Sequence, residues 1–166
     1  EPITVFLAKA SGRPVKLVFT REEEFLASPT RQPVILTLRS GCKKDGTLTF
    51  RVCETLHDNG AYTSWGATTP FVMMQTISSL YRVPHCKYHT TAVYTNNPPC
   101  GAMRGFGAPQ VCFAHESQMD RLAAAVGISP VQVRRRNALH PGSVLPTGQV
   151  VRGSAPVREL LDALDA

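Results

Sequence analysis

Hydrophobic positions along this chain change spacing several times. Between Val34 and Cys42, the residues Val34, Leu36 and Leu38 alternate with Ile35, Thr37 and Arg39. Between Thr47 and Thr55, Leu48, Phe50 and Val52 alternate with Thr49, Arg51 and Cys53. A period of two marks a strand. Lys43-Lys44-Asp45-Gly46 between the runs supplies turn chemistry, so the pair predicts an antiparallel hairpin whose second strand can run on toward Tyr62. Cys86 to Tyr94 predicts a further strand, and Val15 to Phe19 is a short β-rich run.

Elsewhere the spacing is helical. Ile3, Phe6, Leu7 and Ala10 form one stripe over Glu1 to Ser11, stopped by Gly12 with Pro14 beyond. Thr20 and Glu23 make a capping box, in which the hydroxyl accepts from the third helical N–H and the carboxylate reaches back, so a short helix should run to Ala27. Pro70 to Leu80 predicts a helix with Phe71, Met74 and Ile77 on one face. The longest helix is predicted from Pro109 to Gly127. Ser129 and Gln132 form a second capping box, with Pro130 in its first turn. Ser154 to Leu164 begins another helix with Val157, Leu160, Leu161 and Leu164 inward. No repeat, low-complexity tract or long linker interrupts the pattern. The expected fold is α+β, with a mixed, partly antiparallel sheet of about four strands and packed helices.

Composition narrows the class. The 166 residues are 43% apolar and 18% charged, which suits one globular domain rather than a disordered or fibrous chain. No apolar run approaches the roughly 20 residues that cross a bilayer, and no basic-then-apolar leader is present, so the expected compartment is the cytoplasm. The chain starts at Glu1 and stops in a helical pattern, which suggests a piece truncated at both ends. The five cysteines, Cys42, Cys53, Cys86, Cys100 and Cys112, show no C-x-x-C spacing and are expected to be reduced, mostly small core residues. The net charge of +6 invites anionic partners. Yet the densest cluster, Arg134-Arg135-Arg136, lacks interleaved aromatics and is expected to be a solvated helix face rather than a nucleic-acid site. His57, His85, His89, His115 and His140 show no metal-ligand spacing.

The informative segment is Arg104-Gly105-Phe106-Gly107-Ala108-Pro109-Gln110. Two glycines around Phe106 permit unusual backbone dihedrals and close approach to a ligand. A helix follows directly, and its free N–H groups favour an anion or an electron-rich oxygen. Arg104 adds a planar cationic fork. On these grounds alone the segment reads more readily as a tight turn whose glycines serve packing, because a lone G-x-G is a weak signal.

Taken in order, Gly12-Arg13-Pro14-Val15-Lys16, Thr20-Arg21-Glu22-Glu23, Tyr94-Thr95-Asn96-Asn97-Pro98, Gly101 to Gln110 and Arg136-Asn137 resemble the large subunit of the xanthine dehydrogenase/aldehyde oxidase family. The resemblance covers essentially the whole chain. It implies a single, partial molybdopterin-cofactor-binding domain over residues 1–166. It also implies a molybdenum–molybdopterin cofactor, in some members a cytosine dinucleotide form, with no side chain ligating the metal. Such enzymes oxidise an aldehyde or N-heteroaromatic C–H using water, with a glutamate as base, and pass electrons to iron–sulfur clusters and FAD on other subunits or domains.

Residue by residue, the resemblance places Ala102, Met103, Arg104 and Gly105 against the cofactor and Phe106 beside the substrate. Gly105 stands where the copper-containing carbon monoxide dehydrogenases carry a cysteine, which argues against that branch. Val72, counted back from Tyr81-Arg82-Val83-Pro84, matches the place where xanthine-specific members carry an arginine. The family's glycine-rich metal-side loop is expected before Glu1 and its base glutamate beyond Ala166, so no catalytic residue is expected in this piece and the piece alone is expected to be inactive. Glu116, inside the long helix, is expected to be structural, either capping or pairing with a buried polar group. The expected partners are the rest of the large subunit, iron–sulfur and FAD subunits and a small-molecule substrate. The alternatives are a non-catalytic basic interaction module and a structural half of a split subunit.

Overall fold

A computed structural model of the protein describes residues 1–78 and 80–165. The elements, in chain order, are α1 (Pro2–Ser11), α2 (Arg21–Ala27), β1 (Val34–Cys42), β2 (Leu48–Asp58), a 3-10 turn (Trp65–Ala67), α3 (Thr69–Thr76), β3 (His85–Val93), α4 (Ala108–Val126), α5 (Pro130–Asn137) and α6 (Val157–Leu164). Both capping boxes form: Glu23 N–H donates to Thr20 Oγ1 at 3.2 Å, and Gln132 N–H donates to Ser129 Oγ at 3.1 Å.

The sheet is mixed, in the order β1-β2-β3. β1 and β2 pair antiparallel, as the hairpin predicts, while β3 lies parallel to β2 after a crossover through the 3-10 turn and α3. The α+β class holds, with three strands in the sheet rather than about four. The β-rich run Val15 to Phe19 is not a strand, and Leu17, Val18 and Phe19 are exposed. Branched side chains give a strand only where a neighbour offers ladder partners.

A bulge corrects the simple alternation in β2. Cys42 pairs with Leu48 but Gly41 pairs with Phe50, so Thr49 is an extra residue. An inserted residue reverses which side chains face the core. Leu48 is buried, but beyond the bulge Arg51, Cys53, Thr55 and His57 point inward and Phe50 is turned outward. Arg51 is fully buried. It donates to Ser40 Oγ at 3.1 Å and, across the sheet face, to the Ile77 carbonyl at 2.7 Å. Capping that carbonyl accompanies an end to α3 at Thr76, short of the expected Leu80; Ser79 falls outside the described residues.

The core lies on the face of the sheet covered by α3 and α4. One cluster joins Cys53, Met73, Ile77 and Val111, flanked by Val34, Leu36 and Leu38 of β1. The other joins Leu48, Tyr81, Val83, Met119, Ala123 and Val133. Each fully buried aliphatic side chain contributes roughly 1.5–3 kcal/mol. Of the expected Phe71–Met74–Ile77 face, Ile77 is buried just past the end of α3, but Phe71 is exposed and Met73 rather than Met74 is the fully buried methionine. The apolar stripes of α1 and α6 form but are not buried: Phe6 is 70% and Leu164 85% exposed, and α6 keeps only Val157 and Leu161 half-covered among its four expected inward residues.

Asn137 is a buried tie between α5 and the hairpin. Its Oδ1 accepts from Leu48 N–H at 2.8 Å, and its Nδ2 donates to the Gly46 and Val133 carbonyls, each at 2.8 Å.

Candidate functional site

Residues 101–107 leave the end of β3 through a braced turn. Asp58, at the end of β2, accepts from Thr95 Oγ1 at 2.6 Å, from Asn97 Nδ2, and from Gly60 N–H at 2.9 Å. These bonds hold its carboxyl below the usual carboxylate range, Thr95 contributing most. Thr30 then bridges to the turn: its N–H donates to the Pro99 carbonyl at 3.3 Å and its carbonyl accepts from Gly101 N–H at 3.2 Å.

Beyond Gly101 the chain makes two successive tight turns. Phe106 N–H donates to the Met103 carbonyl and Ala108 N–H to the Gly105 carbonyl, both at 2.8 Å. Three consecutive residues have positive φ: Gly105 at 94°, Phe106 at 50° and Gly107 at 96°. A positive φ at a phenylalanine is uncommon and costs energy, and it is held here by the two turn hydrogen bonds. Gly107 also sits hard against α3: a Cβ there would lie 2.5 Å from Met73 Cγ and 2.7 Å from Thr69 Cγ2.

This geometry exposes donors. The backbone N–H groups of Ala102, Met103, Arg104 and Gly105 donate to no group among the described residues, and these four residues are exposed. α4 begins at Ala108 with Gly107 as its N-cap and no side-chain cap. The loop therefore presents unpaired N–H groups, the positive end of a 19-residue helix and the Arg104 guanidinium on one short stretch. Such a set suits an anionic, electron-rich group. Its fit to a molybdopterin rests on that donor set; Gly105 and Gly107 are glycine for packing, since a Cβ there would collide with Pro109 and Met73.

Phe106 meets Trp65 edge to face, with ring centroids 6.1 Å apart. The two rings form an aromatic corner beside the loop. Val72 is half-buried on α3, next to Met73. It is thus on the helix that buttresses the loop, but the ring in contact with Phe106 is Trp65.

Three contributors carry no periodic signal in the sequence. Arg31 donates from Nη2 to the Arg104 carbonyl at 2.6 Å and from Nη1 to Gln110 Oε1 at 3.1 Å. Gln110 Nε2 donates to the Gln32 carbonyl at 3.3 Å. Gln32, buried, donates to Asn59 Oδ1 and the Gly66 carbonyl, each at 3.0 Å, and its own Oε1 finds no partner among the described residues. Trp65 could have been noticed as the sole tryptophan of the chain.

The basic cluster is neutralised internally. Arg134 is not a solvated residue as expected: it is largely covered, bonded to Glu116 Oε2 at 2.9 Å and to Asp120 at 2.7 Å. Arg135 and Arg136 are half-exposed and pair with Asp162 and Asp45. Glu116 pairs as expected, also accepting from Tyr81 Oη at 2.8 Å. Beside it, burial pushes the His115 imidazole down to about 4, with Glu116 opposing. All five cysteines are free; Cys53 and Cys100 are buried, and Cys112 is exposed. Among the described residues no cluster of three or more His, Cys, Asp or Glu side chains is placed to hold a metal ion, and no helix is long and apolar enough to cross a membrane.

Residues 1–138 match the profile of the molybdopterin cofactor-binding domain. The nicotinate dehydrogenase large molybdopterin subunit of Eubacterium barkeri is 40% identical over 152 residues, covering 90% of this chain and 35% of that protein. The putative xanthine dehydrogenase molybdenum-binding subunit of Escherichia coli is 42% identical over 166 residues, covering 98% of this chain and 22% of that protein. The solved aldehyde oxidoreductase from Desulfovibrio gigas superposes with a TM-score of 0.89 at 33% identity, covering 99% of this chain and 18% of that one. The chain thus spans about a fifth to a third of the length of these relatives.

Proposed function

Since the chain belongs to the molybdopterin cofactor-binding domain family, we propose that residues 101–107 form one wall of the cofactor and substrate site of a molybdenum-dependent hydroxylase. The observation that carries this reading is the row of unpaired, exposed amides from Ala102 to Gly105 on a loop forced into positive φ.

When bound, the cofactor supplies the two-electron redox chemistry that converts a C–H bond to C–OH with oxygen from water. The chain's own residues bind and orient. The amides of Ala102, Met103, Arg104 and Gly105 donate to the cofactor's electron-rich atoms, and the Arg104 side chain adds a cation. Phe106 and Trp65 restrict a flat substrate to one approach. Val72 offers no hydrogen bond to a ring carbonyl, which favours an aldehyde or a sparsely oxygenated N-heteroaromatic ring over xanthine. The base glutamate, the iron–sulfur and FAD groups and the rest of the cofactor cradle belong, in this reading, to other segments or subunits, and the 166 residues alone turn nothing over. The alternative of a basic interaction module is disfavoured, because Arg134, Arg135 and Arg136 each already face a carboxylate.

The test is made in the full-length subunit that carries this chain. Arg104→Ala should lower molybdenum per polypeptide and turnover, whereas Arg135→Ala, which removes only a surface ion pair, should change neither. Equal effects of the two would remove the assigned site.

A further inference from the structure

We infer that Arg31 is a positioning residue for the cofactor loop, holding the unpaired amides of Ala102 to Gly105 at a fixed distance from the start of α4. The inference rests on the cofactor reading above and adds to it a residue outside the motif.

The geometry is a two-point clamp. One guanidinium joins the Arg104 carbonyl in the middle of the loop, at 2.6 Å, to the Gln110 side chain in the first turn of α4, at 3.1 Å. A planar fork with several fixed donors can hold two acceptors at once, which a lysine ammonium on a flexible stem cannot reproduce. The carbonyl it takes belongs to the peptide whose nitrogen is Gly105 N–H. Fixing that carbonyl therefore fixes the direction of the opposite N–H across the planar peptide unit.

The clamp is itself anchored. Thr30 is bridged to Pro99 and Gly101, and Gln32 is tied to Gln110, Asn59 and Gly66, so both neighbours of Arg31 are immobilised against the segments that flank the loop. Helix stability does not explain the arrangement. A cation at a helix N-terminus opposes the helix dipole, and Arg31 reaches toward the first turn of α4 with no carboxylate bonded to it among the described residues. A positive charge placed there against the dipole is suited to a site that receives an anionic ligand, where it reinforces Arg104.

The experiment compares Arg31→Met, Arg31→Lys and Arg39→Met in the full-length subunit. Arg39 lies on the same segment but pairs with Glu54 on the exposed face of the sheet. Two quantities are read: molybdenum per polypeptide, and hydrogen exchange at the loop-bonded amides of Phe106 and Ala108 relative to amides of β1 and β2. Arg31→Met should speed exchange at Phe106 and Ala108 about tenfold, the loss of one or two net hydrogen bonds. It should lower molybdenum content several-fold and leave β1 and β2 unchanged. Arg31→Lys should fall between, keeping one acceptor, and Arg39→Met should match the parent. Arg31→Met with parental molybdenum content, or with exchange rising equally through β1 and β2, overturns the positioning role while the cofactor reading stands. A parent protein that holds no molybdenum overturns the cofactor reading and this role together.

Discussion

Gly107→Ala tests how tightly the site loop is held against α3. The residue sits at φ 96° and ψ −18°, as the N-cap of α4. Placing an L side chain in the left-handed region costs roughly 1–2 kcal/mol. The new methyl would also come within 2.5 Å of Met73 Cγ and 2.7 Å of Thr69 Cγ2. Met73 is fully buried, so the side chain cannot swing into solvent to relieve the contact. Forcing a methyl into a packed site adds about 1–3 kcal/mol, for a total of about 2–5 kcal/mol. Gly127→Ala is the matched control: φ is 72°, at the C-cap of the same helix, and nothing lies within 4 Å of a built Cβ. It should show the backbone cost alone. Urea denaturation of the two variants and the parent gives the difference directly, provided the m-values agree. A difference of at least about 1 kcal/mol between the variants is expected. Equal destabilisation would mean that α3 and the loop are not in the close approach described, and the buttressing of the site by Met73 and Thr69 would fall with it.

Asn137→Ala should cost about 2–4 kcal/mol in the same assay, since it strands the buried Leu48 N–H and the Gly46 carbonyl; a loss under about 0.5 kcal/mol, typical of surface sites, would refute that accounting. His115 is buried with its imidazole held down to about 4 from an ordinary value of 6.5, so the unfolded chain takes up its proton first. Its contribution to stability is therefore full above pH 6.5 and declines as the pH falls toward 4. His115→Gln should flatten the stability profile across that window, and an unchanged slope would place the titration elsewhere. A thiol reagent should label exposed Cys112 in the native protein well before buried Cys53, whose thiol burial pushes up to about 12; simultaneous labelling would contradict the burial. In the full-length subunit, Val72→Arg should raise relative activity on oxygenated purines and weaken it on apolar aldehydes, because a donor then meets a carbonyl otherwise left unpaired at a cost of roughly 1–3 kcal/mol; no change in preference would remove Val72 from the substrate space.

What was legible in the sequence was local. The hairpin, both capping boxes and the long helix depend on residues within a few positions of one another, and all appear where the pattern placed them. The parallel pairing of β2 with β3 has no local signature. Neither does the bulge at Thr49, which puts the polar Arg51 in the interior in place of Phe50 because a one-residue insertion inverts the alternation. The stripes of α1 and α6 were read correctly as amphipathic but not as uncovered, since periodicity reports a face and not its partner. In the site, Arg104 to Gln110 stood out through glycine and proline. Arg31 and Gln32 did not, because their partners lie between 27 and 79 residues away.

The braces around residues 101–107 also set an order of events during folding. β1 and β2 meet across a short turn, whereas Arg31 reaches Arg104 and Gln110 across sequence separations of 73 and 79 residues. Closing loops of that length costs about 2–3 kcal/mol more than closing the hairpin. On the ribosome, the segment around Arg31 must wait, already synthesised, until Gln110 has emerged. The loop of residues 101–107 therefore acquires its shape after the hairpin. A chain stalled before that step would hold the hairpin but not the braced loop.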